Sequence, residues 1–214
     1  MPGRKTDVRD CEWIADLLRH GLLRASFLPD LPQRELRELT RYRTTLIRER
    51  AAERNRLQKT LEGAGIKLGS VASDVLGSSG RLMLEALVEG TTDAATLADL
   101  AKGSLRTKLP QLERALTGKV GAHQRFLIAH QLAHLDALDE LIEQLSQEIA
   151  ERLRPFQDKL ERLDGITGVG LRTAEVFLAE IGTDVARFPS AAHLASWAGI
   201  CPGEQRERRQ AQER

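Results

Sequence analysis

Residues 120–154 place Ile128, Leu132, Leu135, Leu138, Ile142, Leu145, Ile149 and Leu153 at unbroken steps of three or four. A strand alternates its side chains every second residue and cannot gather such a set on one face, whereas a helix puts all eight on a single stripe. A stripe this long and narrow is a coiled-coil seam, and it needs a helical partner of similar length. Residues 33–63 offer one. There Leu36, Leu39, Leu46, Leu57 and Leu61 lie close to a heptad stripe that Arg43 and Arg50 interrupt. The two helices are expected to pack antiparallel, or the second packs on its own copy in another subunit. Val and Ile nowhere alternate with period two, so the chain is expected to be all-α.

Shorter elements fill the remainder. Residues 7–23 read as a helix with Trp13, Ile14, Leu17 and Leu18 on one face and Gly21 as its terminator. Pro29 and Pro32 bracket a linker in which Asp30 can cap the long helix. Residues 67–118 form a small helical lobe, with helices expected at 71–76, 81–89, 94–101 and 105–116. Asp93 is a cap, and Pro110 sits in the first turns of its helix or kinks it. Pro155 ends the second long helix.

The net charge is only +1, with 29% charged residues. Any affinity for nucleic acid must therefore come from local segregation of charge. Such segregation exists between residues 34 and 59, where nine Lys or Arg face four Glu. Arg41, Arg48, Arg54 and Lys59 are the candidate phosphate contacts, and a solvated coiled-coil face is the alternative. Cys11 and Cys201 have no metal-type spacing and read as reduced thiols. No signal peptide is evident, and no apolar run approaches the roughly 20 residues of a membrane span. A cytoplasmic protein without a membrane partner is expected. His130 and His134 are four apart without a third ligand, and read as wet helix surface.

A hairpin follows. Residues 160–182 read as helix, glycine turn and helix, with Gly165, Gly168 and Gly170 allowing positive φ and close backbone approach. The second helix then begins with unpaired N–H groups beside Arg172 and Thr173, a ready phosphate site. This is the pattern of a helix-hairpin-helix. A plain corner between two helices would need the same glycines.

The composite is more specific. Leu163-Asp164-Gly165-Ile166-Thr167-Gly168-Val169-Gly170, then Phe188-Pro189-Ser190, then residues 195–203 (ASWAGICPG) resemble the C-terminal domain of DEDD/serine insertion-sequence transposases. These are the bridge-RNA-guided recombinases of the "one-ten" insertion-sequence family. Gly3-Arg4-Lys5-Thr6-Asp7-Val8-Arg9-Asp10, with the helix that follows, resembles the last helix of that family's RNase-H-like nuclease domain. Residues 34–43 and 55–59 resemble its basic helical linker.

The resemblance implies four segments. Residues 1–28 would be the end of the nuclease domain, and 29–154 the coiled-coil linker. Residues 155–203 would be a partial C-terminal domain with the helix-hairpin-helix, and 204–214 a disordered tail. It implies Mg²⁺ bound by four acids, of which Asp7 and Asp10 match the last two; without the sheet that carries the others, they are expected to bind metal weakly or not at all. It implies element-end and target DNA, a guide RNA and a homo-oligomer formed through the coiled coil as partners.

The tail departs from the family. Relatives continue after Pro202-Gly203 with a motif holding the serine nucleophile, whereas here no serine follows Ser196. Back-translation of residues 204–214 and a one-base shift recover Asn-Asn-Glu-Ser-Ala-Gly-Lys-Arg, so out-of-frame translation is expected. Ser190 and Ser196 do not align with the family's serine. Three functions are thus open: a transposase, here expected to be catalytically inactive; a non-catalytic nucleic-acid-binding module that dimerises with or inhibits intact transposases; and a helical scaffold. Buried hairpin amides and fully paired arginines would mark the scaffold.

Overall fold

The computed structural model describes residues 6–23 and 28–198. Gly3, Arg4 and Lys5, residues 199–203 with Cys201, and the tail at 204–214 lie outside the described residues. Among those described the chain is all-α. Its helices are α1 (Asp7–Arg19), α2 (Leu31–Gly63), α3 (Ser78–Glu89), α4 (Ala94–Asp99), α5 (Leu109–Leu116), α6 (Ala122–Leu153), α7 (Gln157–Asp164), α8 (Leu171–Ile181) and α9 (Ala191–Trp197). Single 3₁₀ turns occur at Leu68–Ser70, Gly103–Lys108 and Arg154–Phe156. No described helix is long and apolar enough to cross a membrane.

The long helices start and stop where local chemistry directs. The Asp30 carboxylate accepts the Gln33 N–H at 3.0 Å, and Pro32 occupies the first turn of α2. An Asp30→Ala variant should lose about 1 kcal/mol in urea unfolding, with Asp30→Asn close to neutral, because only the alanine removes the acceptor. Pro155 falls in the 3₁₀ turn just after α6, as its missing N–H requires.

α2 and α6 pack antiparallel within one chain. Contacts between them run in opposite order along the two helices: Glu35 meets Arg152 at 2.8 Å, Arg43 meets Ser146 at 3.4 Å, Arg50 meets Asp139, and Glu53 meets His134 at 3.6 Å. The leucine stripes close on each other in steps. Leu36 sits with Ile149 and Leu153, Leu46 with Leu138 and Ile142, and Leu57 and Leu61 with Ile128 and Leu132. The seam of α6 is therefore filled by its own chain, and a second copy would need another surface.

The lobe of α3, α4 and α5 caps the closed end of this hairpin around Met83, Leu84, Leu97 and Leu112. Two sequence expectations fail here. Residues 71–76 are not a helix, because the Asp74 carboxylate takes the Leu76 N–H at 3.1 Å and offers the backbone a turn instead. Residues 105–116 are not one helix either. A 3₁₀ turn to Lys108 precedes α5, and Pro110 lies in the first turn of α5, as expected.

At the open end, α8 lies along the other flank of α2. Leu160 of α7 and Ala174, Leu178 and Ala179 of α8 share one core with Leu36, Ile149 and Leu153. The glycine hairpin is thus sealed to the long helices rather than hanging behind Pro155. By contrast, α1 buries no residue, and Trp13 and Leu18 stay 64% and 67% exposed.

Candidate nucleic-acid interface

The turn between α7 and α8 is built from three backbone bonds. The N–H groups of Gly165, Ile166 and Val169 donate to the carbonyls of Glu161, Leu163 and Ile166. Gly168 has φ +89°, and a Cβ there would meet nothing within 4 Å, so its glycine is required by backbone conformation rather than by space. Gly165 and Gly170 have negative φ, which narrows the sequence expectation to one essential glycine. Gly170 caps α8, its carbonyl accepting the N–H groups of Thr173 and Ala174. The N–H groups of Gly168, Gly170, Leu171 and Arg172 have no partner among the described residues. Arg172 and Thr173 are exposed beside them.

α8 runs antiparallel to α2, and its far end is capped by α2 side chains. Gln33 Nε2 donates to the Ala179 carbonyl at 3.3 Å. Arg37 donates to the same carbonyl at 3.2 Å and also to that of Glu180. Cationic donors at a helix C-terminus are favoured by the orphan carbonyls and the dipole. Deeper in, Arg43 (2% exposed) and Glu175 (5% exposed) form a buried pair at 2.5 Å.

These contacts sort the arginines of α2. Arg41, expected as a phosphate contact, is forked onto both oxygens of Glu180 at 2.7 and 2.8 Å, which raises its pKa, while its side chain stays largely exposed. Arg54, expected likewise, leans on Asp74 at 3.4 Å. Charge alone could not foresee the Arg41 pair, because Glu180 lies far off in sequence. Arg50 forks onto Asp139, which also raises its pKa, and Arg56 pairs with Glu53 at 2.6 Å. Arg48 and Lys59 are exposed, with no ion-pair or hydrogen-bond partner for their side chains among the described residues. So is Arg34, which sequence reasoning placed in the basic stretch but not among the contacts. Arg34, Arg41 and Arg48 are seven apart, so they recur along one face at about 10.5 Å spacing. The arrangement is neither a fully paired scaffold nor an unbroken basic strip.

Asp7 and Asp10 stand in the first turn of α1, where Thr6 Oγ1 accepts the Arg9 N–H at 3.4 Å. The described residues contain no group of three or more His, Cys, Asp or Glu able to hold a metal. Mg²⁺ takes octahedral oxygen coordination, of which these two carboxylates on one helical turn would supply a part. Ser190 Oγ lies 2.8 Å from His193 Nδ1 at the start of α9, and Ser196 is exposed next to Trp197.

Comparison with known proteins gives one class, the proteins of insertion elements. A model described as a transposase, of the IS110 DEDD type, matches residues 1–66, and one described as transposase of the IS116/IS110/IS902 family matches residues 160–206. The 44.8 kDa protein of insertion element IS116 from Streptomyces clavuligerus is 33% identical over 219 residues, covering 92% of this chain and 53% of that protein. The 43.6 kDa protein of IS110 from Streptomyces coelicolor is 29% identical over 223 residues, covering 94% and 53%. The chain belongs to the IS116/IS110 family of insertion-sequence transposases. It spans about half the length of these curated relatives. No solved structure matches it significantly.

Proposed function

We propose that this chain supplies an insertion-sequence transposase with a grip on nucleic-acid backbone. The observation that carries the reading is the divided fate of the α2 arginines. Arg37, Arg41, Arg43 and Arg50 are spent on α8 and α6, while Arg34, Arg48 and Lys59 face outward without an acid partner among the described residues. The unpaired amides at the start of α8 add a second phosphate contact on the same body. Neither element reads bases, so the grip is indifferent to sequence. DNA transposition and recombination, the family's Mg²⁺ chemistry, to which Asp7 and Asp10 would add two of four acids, element-end DNA, a guide RNA and a second copy of the chain belong to the same reading through the family.

Binding of the full chain to a labelled blunt DNA duplex, followed from 50 to 200 mM salt, tests it. Each phosphate contact contributes about 0.9 to the slope of log affinity against log salt. Substituting Arg34, Arg48 and Lys59 together by alanine should flatten the slope by roughly 2.7. An unchanged slope overturns the α2 grip.

A further inference from the structure

α2, α6 and the start of α8 wall a cleft of about 560 Å³. That lies inside the roughly 300–1,000 Å³ of ordinary small-ligand sites. Its lining divides by chemistry. Ile47 and Ile142 give an apolar floor, and Arg50, Arg54 and Arg172 give the rim together with the Asn55 amide. The single carboxylate of the lining, Asp139, is already forked by Arg50, so Arg50 is held as part of the wall. Arg54 is held only by its 3.4 Å contact with the half-exposed Asp74. The side chains of Arg172 and Asn55 have no partner among the described residues. Arg50 and Arg54 are met by Asp139 and Asp74, so the cleft keeps one uncompensated guanidinium, that of Arg172, over its apolar floor.

We propose that this cleft seats one unpaired nucleotide of a single strand. Its phosphate lies between Arg54 and Arg172, its base rests on Ile47 and Ile142, and the Asn55 amide, which can both donate and accept, meets the base edge. A bare phosphate would leave the apolar floor unused. A base within a duplex is stacked and paired, and cannot enter a cleft walled by three helices, whereas a single strand can splay one out. The partner class rests on the nucleic-acid reading above, and Arg172 stands beside the α8 amides of that reading. Arg34, Arg48 and Lys59 take no part in the cleft.

The test uses the full chain and fluorescence anisotropy with three probes: oligo-dT, oligo-rU and a blunt DNA duplex. Arg172→Ala and Asn55→Ala are the variants, since both side chains are exposed and their loss spares the core. Arg172→Ala should weaken single-strand binding about tenfold, the size of one charge-assisted contact, and duplex binding at most about twofold. Asn55→Ala should weaken it about threefold and leave the duplex unchanged. Loss on both oligo-dT and oligo-rU supports the shared nucleotide chemistry, and loss on one alone supports the site while naming the strand. Equal loss on duplex and single strands, or none on either single strand, overturns the cleft. A selective single-strand loss beside an unchanged duplex salt slope would keep the cleft and remove the α2 grip.

Discussion

Replacing Glu175 by leucine should cost the chain about 3–5 kcal/mol, because it strands the Arg43 guanidinium in a site that water does not reach. Arg43 lies between α6 and α8, with Ser146 at 3.4 Å as its other neighbour, and a neutral hydroxyl cannot balance a full charge. The pair as a whole is a different matter. Desolvating two ions offsets most of their attraction, so a joint Arg43→Met and Glu175→Leu variant should lie within about 1 kcal/mol of the parent. Urea denaturation of the parent, both single variants and the double variant gives the coupling directly. If Glu175→Leu alone loses under about 1 kcal/mol, the pair is not desolvated and α8 is docked by its leucines and alanines alone. The same four proteins report on docking, since an undocked hairpin would raise the urea dependence of the native state before the main transition.

The second large effect has the opposite sign to what helix propensity suggests. Gly80 lies inside α3, where alanine would ordinarily gain about 1 kcal/mol. A Cβ on Gly80 would stand 2.1 Å from the Val75 carbonyl oxygen and 2.7 Å from its carbon. Both are backbone atoms of the turn that Asp74 holds, so no side chain can swing aside. Gly80→Ala should therefore destabilise by about 3 kcal/mol, the upper end of overpacking costs, with a matching fall in the urea midpoint. A neutral or stabilised variant would mean that the 71–76 turn slides freely over α3. That in turn would deny the turn any role in shaping the lobe core around Met83 and Leu84.

The leucine steps of residues 120–154 were enough to read the all-α class and the need for a long helical partner, but not whether that partner was the 33–63 helix or a second copy. The same periodicity hid what Arg43 and Arg50 do. In the stripe they read as breaks, yet they make charged contacts to other helices, at Glu175 and Asp139. Their partners lie 132 and 89 residues away, a separation at which local patterns say nothing. The glycine hairpin was legible because the positive φ of Gly168 is a local demand. Its docking was not, because Glu175 and Glu180 look in sequence like any solvated helix face. Arg41 reads by charge alone as a phosphate contact, and charge cannot tell a free arginine from one whose partner, Glu180, arrives on a later helix. The 71–76 segment reads as a helix because Val71, Ala72, Val75 and Leu76 are apolar at helical spacing, and the Asp74 turn outweighs them.

The placing of α2 early and of α6 and α8 late has a consequence for synthesis. At about 5–20 residues per second, roughly 6–24 s separate the completion of Gly63 from that of Ile181. For that interval the Arg43 charge lacks Glu175, and until α6 is made the leucine stripe of α2 lacks its long partner. The lobe between them is made first and is built from near neighbours, so it can close on Leu57 and Leu61 while the ribosome is still at work. Arriving α6 is then led to join from the lobe outward, and α8 comes last to cover Arg43. A nascent chain stalled before Ile181 would present an uncovered row of arginines, and its stickiness towards the ribosome's own RNA should exceed that of the finished protein.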